Sequence, residues 1–320
     1  MRNIFQEIRD ATEEVAQAAR WVSVDEVALN LYPERLLTEE RIVLGHTPEH
    51  HLLGVGDDTL RFFVILDTIN FGSGYFPFLD KDAGVSGYFT VAARLKKYCE
   101  SFGVPTALEL SRITKSDCFK IFDQEPSSRH LDELMELFSA ALRELGEWAN
   151  ARFRGDLIGF LKEAKSAAGA VRMLIEMRNF QDIGQYGLLR VPLLKRAQIM
   201  LQDIKLADPS HELIQYRDLD ELTVFADNVL PYVFNADGIV SYDPWLSDRI
   251  ANEEIIGSGS FEEIELRACS VYVAERICKI IQEEIRAISV RELDYLIWNR
   301  GQKLKKLSDK KRHRTRCTFY

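Results

Sequence analysis

The sequence predicts a mostly α-helical protein with one small β element. Apolar residues recur at spacings of three and four along most of the chain, capping signals stand where those stretches begin, and one β-branched, aromatic run reads best as a strand. Ile4, Ile8, Ala11, Val15 and Ala18 make the apolar face of a first helix, with acids on the opposite face. Ser23 precedes Glu26 by three residues, a capping-box spacing that starts a second helix through Ala28 and Leu31. Residues 61–67, RFFVILD, are the strand candidate, with 42–44 a weak partner. Ser86 or Gly87 opens a helix to about Ser101, which Gly103-Val-Pro stops. Further helices are expected over 128–152, 157–178, 192–204, 219–225, 228–234, 261–288 and 290–305. Pro192 and Pro231 sit near helix starts, where a missing N–H costs little. No repeat of fixed period occurs, and the most linker-like stretch, Gly257-Ser-Gly-Ser260, is short. A single domain over 1–320 is therefore expected, with 1–60 its least defined helical part.

Composition narrows the function. Hydrophobic residues at 46% and charged residues at 28% are those of a globular chain, not a disordered one. The 41 Lys and Arg against 50 Asp and Glu leave a net charge of −9, which disfavours general nucleic-acid binding but allows a small anion held by a few donors. Five cysteines, Cys99, Cys118, Cys269, Cys278 and Cys317, show no CxxC spacing, so neither a zinc site nor a disulfide framework is expected. No apolar run reaches the roughly 18 residues that a membrane helix needs. A cytoplasmic protein without a membrane partner is the expectation.

Several motifs carry chemistry. His46, His50 and His51 stand in GHTPEHH, where Pro48 makes a turn, so hydrogen-bonded or solvated loop histidines are expected and no metal. Leu53-Gly-Val-Gly-Asp57 lacks the full GxGxxG and reads as a hairpin or turn that does not lead into a helix. The stretch from Asp67 through Asn70, Phe71 and two glycines to Tyr75 offers a carboxylate, an amide and flat rings, the groups that hold a purine-like base. Core packing of those aromatics is the competing reading. Lys195-Arg196 stands at the start of an apolar helix, where free N–H groups and an ammonium suit a phosphate. Asp227 falls at a turn between two helices, either as a helix cap or as a carboxylate aimed into a cleft. The basic tail through Arg314 and Arg316 ends in Cys-Thr-Phe-Tyr320, which favours a docked segment over a free arm.

Taken together, FFVILDTINFGSGYFP, GYFTVAARL, LLKRAQIMLQDI, LDELTVFADNVLP, EIELRACSVYVAE, LDYLIWNRG and RHRTRCTFY closely resemble the queuosine salvage protein family, the queuosine 5′-phosphate N-glycosylase/hydrolases. The matches run from about Arg61 to Tyr320. This resemblance implies a helical fold related to the helix–hairpin–helix glycosylases, and hydrolysis of queuosine 5′-monophosphate to queuine and ribose 5-phosphate without cofactor or metal. It implies that Asp227 and Lys195 are the active-site aspartate and lysine, and that Asp67, Asn70 and Phe71 form a DxxNF element at the base pocket. Asn-Val-Leu-Pro stands where DNA glycosylases carry a glycine-rich hairpin, so no stable nucleic-acid partner is expected.

The chemistry agrees with that implication. Breaking an N-glycosidic bond builds positive charge on the ribose, which a fixed carboxylate opposes. A 7-deazaguanine lacks N7, so more of the barrier must be lowered at the sugar. Phosphate recognition is expected at Lys195, with Arg196, Arg314 or Arg316 as helpers. A non-catalytic nucleotide-binding module and a DNA or RNA base glycosylase are the alternatives.

Overall fold

The computed structural model describes residues 3–41 and 44–320. Among them are fourteen α-helices, four single 3-10 turns and two antiparallel two-stranded sheets, a mostly α fold with a small β element. Among the described residues, no helix is long and apolar enough to cross a membrane. No group of three or more His, Cys, Asp or Glu among them is arranged to hold a metal ion.

These elements pack as two compact units. The first takes the chain up to Leu44, then Asp182–Lys195 and Asp220–Arg316; the second takes Gly45–Gln181, Arg196–Leu219 and Cys317–Tyr320.

At the centre of the first unit runs the Phe261–Glu284 helix, whose Ser260 cap accepts the Glu263 N–H. Helices Ile4–Ala18, Glu26–Glu39, Val229–Ala236 and Val290–Leu307 pack against it. It buries Ile264, Leu266, Val271, Val273, Ile277 and Ile281, so apolar residues are needed on several faces. The first helix buries Ile4, Phe5, Ile8, Ala11 and Val15, the face that its spacing defines. Each such Ile or Phe contributes roughly 1.5–3 kcal/mol by leaving water. Fully buried Glu265 accepts the N–H groups of Arg20, Trp21 and Val22 at 3.0, 2.8 and 3.2 Å, fixing the chain as it leaves that helix.

The next helix is capped by Asp25 rather than Ser23. The Asp25 carboxylate accepts from Val27 and Ala28 at 3.0 Å, while Ser23 lies in strand Val22–Val24 opposite Ser241 of Val240–Tyr242. Ladder pairing holds Ser23 extended and leaves the nearer carboxylate as the cap. The second sheet, Ile183–Tyr186 with Leu189–Pro192, turns at Gly187, whose φ of +60° suits glycine.

The second unit is built on the 25-residue helix Arg129–Phe153, against which Asp57–Thr68, Ala107–Leu110 and Lys115–Ile121 pack. Gly146 permits the close approach: a Cβ there would lie 2.4 Å from the Ser111 nitrogen and 2.5 Å from the Ala107 oxygen. Residues 61–67, expected as a strand, lie inside the Asp57–Thr68 helix. Glycine at position 56, with φ +62°, turns the chain into that helix, so the 53–57 turn leads into a helix after all. Asp57 and Asp58 favour its positive end and also pair with Arg61. Leu60 and every residue from Phe62 to Thr68 are buried, and a helix covered all round shows a continuous apolar run with no 3.6-residue period. Its expected partner, 42–44, falls for the most part outside the described residues.

Other boundaries differ locally. The 157–178 stretch is two helices, Gly159–Glu163 and Ala167–Leu174, the second capped by Ser166. Pro192 ends a strand, and the helix after it is Lys195–Ala207. Only Leu219–Glu221 of 219–225 is helical, as a single 3-10 turn.

Candidate active site

Leu222 to Ala226 run without regular structure because side chains take their backbone groups. The Phe225 N–H donates to the Asp294 carboxylate at 2.8 Å, and the Ala226 carbonyl accepts from Arg267 Nε at 3.0 Å. Asn228 Nδ2 donates to the His313 carbonyl at 3.2 Å. Asp227 stands between these clamps, half-buried, with Oδ1 accepting the Val229 N–H at 2.6 Å. That bond closes the first turn of Val229–Ala236, while Asn228 at the cap position makes no side-chain capping bond. Asp227 is thus both an end-of-helix acceptor and a carboxylate held in a rigid turn.

Lys195 is placed by a different strand of the same network. Leu193 and Leu194 donate their N–H groups to the Asp182 carbonyl at 2.9 and 3.2 Å, and the Lys195 N–H donates to Asp182 Oδ2 at 3.1 Å. Leu194 has φ +52°, a left-handed conformation costly for a leucine. The buried Leu194 side chain and the Asp182 bonds hold it there, delivering Lys195 to the helix start in a fixed direction. Lys195 itself is 4% exposed. Asp182 also binds Arg267 through both oxygens, at 2.9 and 2.6 Å, and Arg267 reaches Glu263 at 3.1 Å.

Two further charged groups belong to this cluster. Asp294 lies within the electrostatic reach of both Asp227 and Lys195. Burial, with a smaller push from Asp227, raises its carboxyl to about 7 against the pull of the Phe225 N–H and Lys195. Arg312 feels the Asp227 charge as well; burial lowers its pKa, and its guanidinium lies 5.3 Å from the Tyr232 ring centre and donates to the Gly301 carbonyl at 3.2 Å. His313 is buried and pushed down to about 3, first by burial and then by Arg267. The first unit therefore brings Asp227, Lys195, Asp294 and Arg312 into one field. Arg314 is used differently: its carbonyl accepts the Ile256 N–H at 2.8 Å, and its side chain reaches Glu253 at 3.9 Å. Arg316 is half-buried.

In the second unit Asp67 is fully buried in the last turn of its helix and accepts from Asn70 Nδ2 at 2.9 Å. Gly72 follows with φ +104°, and its N–H donates to the Tyr320 carbonyl at 3.0 Å, so the chain's last residues brace this loop. Arg196 is 1% exposed and donates to the carbonyls of Thr68 and Asn179. Its guanidinium lies 5.0 Å from the Phe71 ring centre and 4.7 Å from that of Phe180. Phe71 is buried with its ring edge-on to Phe138 at 5.2 Å, and the Tyr75 hydroxyl donates to Glu133 at 2.9 Å. Asp67 also acts on a group of polar rings. His46 Nε2 donates to the Asp203 carbonyl at 2.9 Å, His51 Nε2 lies 3.2 Å from the Tyr88 hydroxyl, and the Asp67 charge reaches both His46 and Tyr88. Burial lowers His46 and brings His51 to about 3, so both rings are neutral near pH 7.

Asp182, Arg267, Asp294, Arg312, Tyr88 and Asp203 were not singled out by sequence reasoning, and His46 was expected only as a hydrogen-bonded or solvated loop histidine. A signal existed for two of them. Asp294 and Arg267 are single charges inside apolar runs, Leu-Asp-Tyr-Leu-Ile and Leu-Arg-Ala-Cys-Ser-Val, and a buried charge needs a partner.

The sequence as a whole is similar to known proteins. The family described as queuosine salvage protein matches residues 50–320. A Sphaerobacter thermophilus protein named queuosine 5′-phosphate N-glycosylase/hydrolase is 31% identical over 316 residues, covering 97% of this chain and 96% of that one. Proteins of the same name from Bos taurus and Dictyostelium discoideum are 24% identical over 98% of both chains and 30% identical over 56% of both. Since the family match spans most of the chain and a relative above 30% identity covers nearly all of it, the chain belongs to the queuosine salvage protein family.

Proposed function

We propose that this protein hydrolyses the N-glycosidic bond of queuosine 5′-monophosphate, releasing queuine and ribose 5-phosphate. The observation that carries the reading is the placement of Asp227: Asp294 and Arg267 hold the backbone just before it, its Oδ1 accepts the Val229 N–H, and it and Lys195 both act on Asp294. The names of the relatives supply the substrate.

In this mechanism the Asp227 carboxylate opposes the positive charge that grows at C1′ as the base leaves, and water completes the hydrolysis. A carboxylate that is already held needs no reorganisation when that charge appears, which is where fixed electrostatics outperform water. The lysine holds the 5′-phosphate, so that binding energy remote from the reacting bond orients the sugar. Asp67 and Asn70 are the residues that the family resemblance assigns to the polar edge of the base. Arg196, Phe71 and Tyr75 hold that loop in shape, which the contacts of Phe71 with Arg196 and Phe138 and of Tyr75 with Glu133 support. Salvaged queuine then serves tRNA modification.

Incubation with queuosine 5′-monophosphate, followed by chromatography for queuine and ribose 5-phosphate, tests the reading. Equal amounts of the two products are expected. Binding of the nucleotide without base release would favour a nucleotide-binding module instead.

A further inference from the structure

We propose that Asp294 is the positioning residue for Asp227, holding through the Phe225 amide the segment that presents it and setting, by its own ionisation, the alkaline limit of turnover. This rests on the reading of Asp227 as the carboxylate that faces the sugar. Three side chains clamp the segment around Asp227: Asp294 at the Phe225 N–H, Arg267 at the Ala226 carbonyl and Asn228 at the His313 carbonyl. Arg267 is committed to Asp182 and Glu263, and Asn228 does not titrate. Of the three, only Asp294 changes charge near neutral pH.

The groups around Asp294 give that change a direction. Asp227 on the turn and Lys195 at its helix start act on it, with opposite signs. The Val229–Ala236 helix carries no charged side chain, and on the Phe261–Glu284 helix Arg267 is neutralised by Asp182 and Glu263. Arg291, one turn earlier on the Val290–Leu307 helix, pairs with Asp220 at 2.5 Å. From the tail, Arg312 acts on Asp227, and His313 is neutral. While Asp294 keeps its proton, it adds no negative charge to Asp227 and the Arg267-paired Asp182 around Lys195. Once it ionises, a second unpaired carboxylate attracts Lys195 alongside Asp227, and Lys195 is drawn from the position in which it serves the substrate. Turnover should fall as that proton leaves.

A purely structural Asp294, there only to satisfy the Phe225 N–H, makes a different forecast, because Asn offers the same acceptor without a titrating proton. The test measures kcat and KM for queuosine 5′-monophosphate from about pH 5.5 to pH 9 in the native protein, Asp294→Asn and Asp294→Ala. Native kcat should decline with an apparent pKa of about 7, and Asp294→Asn should lack that decline. Asp294→Ala should lose about 10- to 100-fold in kcat with KM within about threefold, the cost of a misplaced catalytic group. If the Ala variant does not fold, the Asn variant decides by itself. An alkaline limb unchanged in Asp294→Asn overturns the proposal. A substrate-independent reading comes from 13C NMR of the aspartate carboxyls: Asp294 should titrate near 7 in the native protein and lower in Asp227→Asn. Titration in the ordinary carboxylate range would also overturn the proposal. Absence of base release by the native protein would instead sink the hydrolase reading and leave the NMR result to judge Asp294.

Discussion

Arg267 grips Asp182 through two bonds of 2.9 and 2.6 Å, and the same carboxylate accepts the Lys195 N–H while the same guanidinium holds the carbonyl before Asp227. One buried ion pair thus sets the positions of two residues far apart in sequence. Removing either partner leaves an uncompensated charge in the interior. Asp182→Ala should therefore cost about 3–5 kcal/mol in urea unfolding, and Arg267→Lys, which loses the two-bond fork, should lower kcat. A loss under about 1 kcal/mol in Asp182→Ala would show that the pair does not hold this region together.

Lys195→Ala separates phosphate binding from chemistry. A charge-assisted bond to phosphate is stronger than a neutral one, so KM for queuosine 5′-monophosphate should rise at least about tenfold while the nucleoside, with no phosphate, is affected much less. Equal losses on both substrates would take Lys195 away from the phosphate and make its role the orientation of Asp227.

Queuine binding tests the Asp67–Asn70 pair. Asp67→Ala removes an acceptor and the bond it takes from Asn70 Nδ2, so calorimetry should find affinity reduced by about tenfold or more. Phe71→Leu should act through the loop, lowering thermal stability along with affinity because Arg196 loses the ring it covers. Unchanged queuine affinity in a folded Asp67→Ala variant would leave this loop with a packing role only.

Acid should destabilise the fold before any carboxylate of ordinary pKa titrates. His51 and His313, both near 3 when folded, are neutral inside, whereas in the unfolded chain they bind protons below about 6.5. The unfolded state then holds more protons, so stability falls as pH drops from about 6.5 toward 3. Asp294 has the reverse sign: its raised pKa makes the folded state the better proton binder, so its contribution declines as pH rises from about 4 to 7. Denaturation midpoints at pH 7 and pH 5 should show the histidine effect shrink in His51→Gln. Equal pH dependence in that variant and the native protein would contradict the assignment.

The helical character was legible wherever a helix buries one stripe. Ile4, Ile8, Ala11 and Val15 show the period because their helix keeps acids in water on its other side. Where a helix is covered all round, as with Phe62 to Thr68, the period disappears and β-branched residues and aromatics imitate a strand. The extended path of Leu222–Ala226 was not legible either, because its backbone partners, Arg267 and Asp294, come from more than forty residues downstream. Asp227 and Lys195 stood out through short motifs and a family resemblance, whereas Asp182 and Asp294 gain their meaning only from three-dimensional neighbours.

Base release by Asp227→Asn tests the central claim most directly. Asn keeps an Oδ1 that can accept the Val229 N–H, so the turn and the helix it closes should survive, and the loss of a cap, worth about 0.5–2 kcal/mol, is avoided. What disappears is the negative charge. Measured by chromatography of queuine from queuosine 5′-monophosphate, the variant should bind nucleotide with affinity within about threefold of the native protein and release base at least about 10²- to 10³-fold more slowly. A folded Asp227→Asn that releases queuine at close to the native rate would contradict the account.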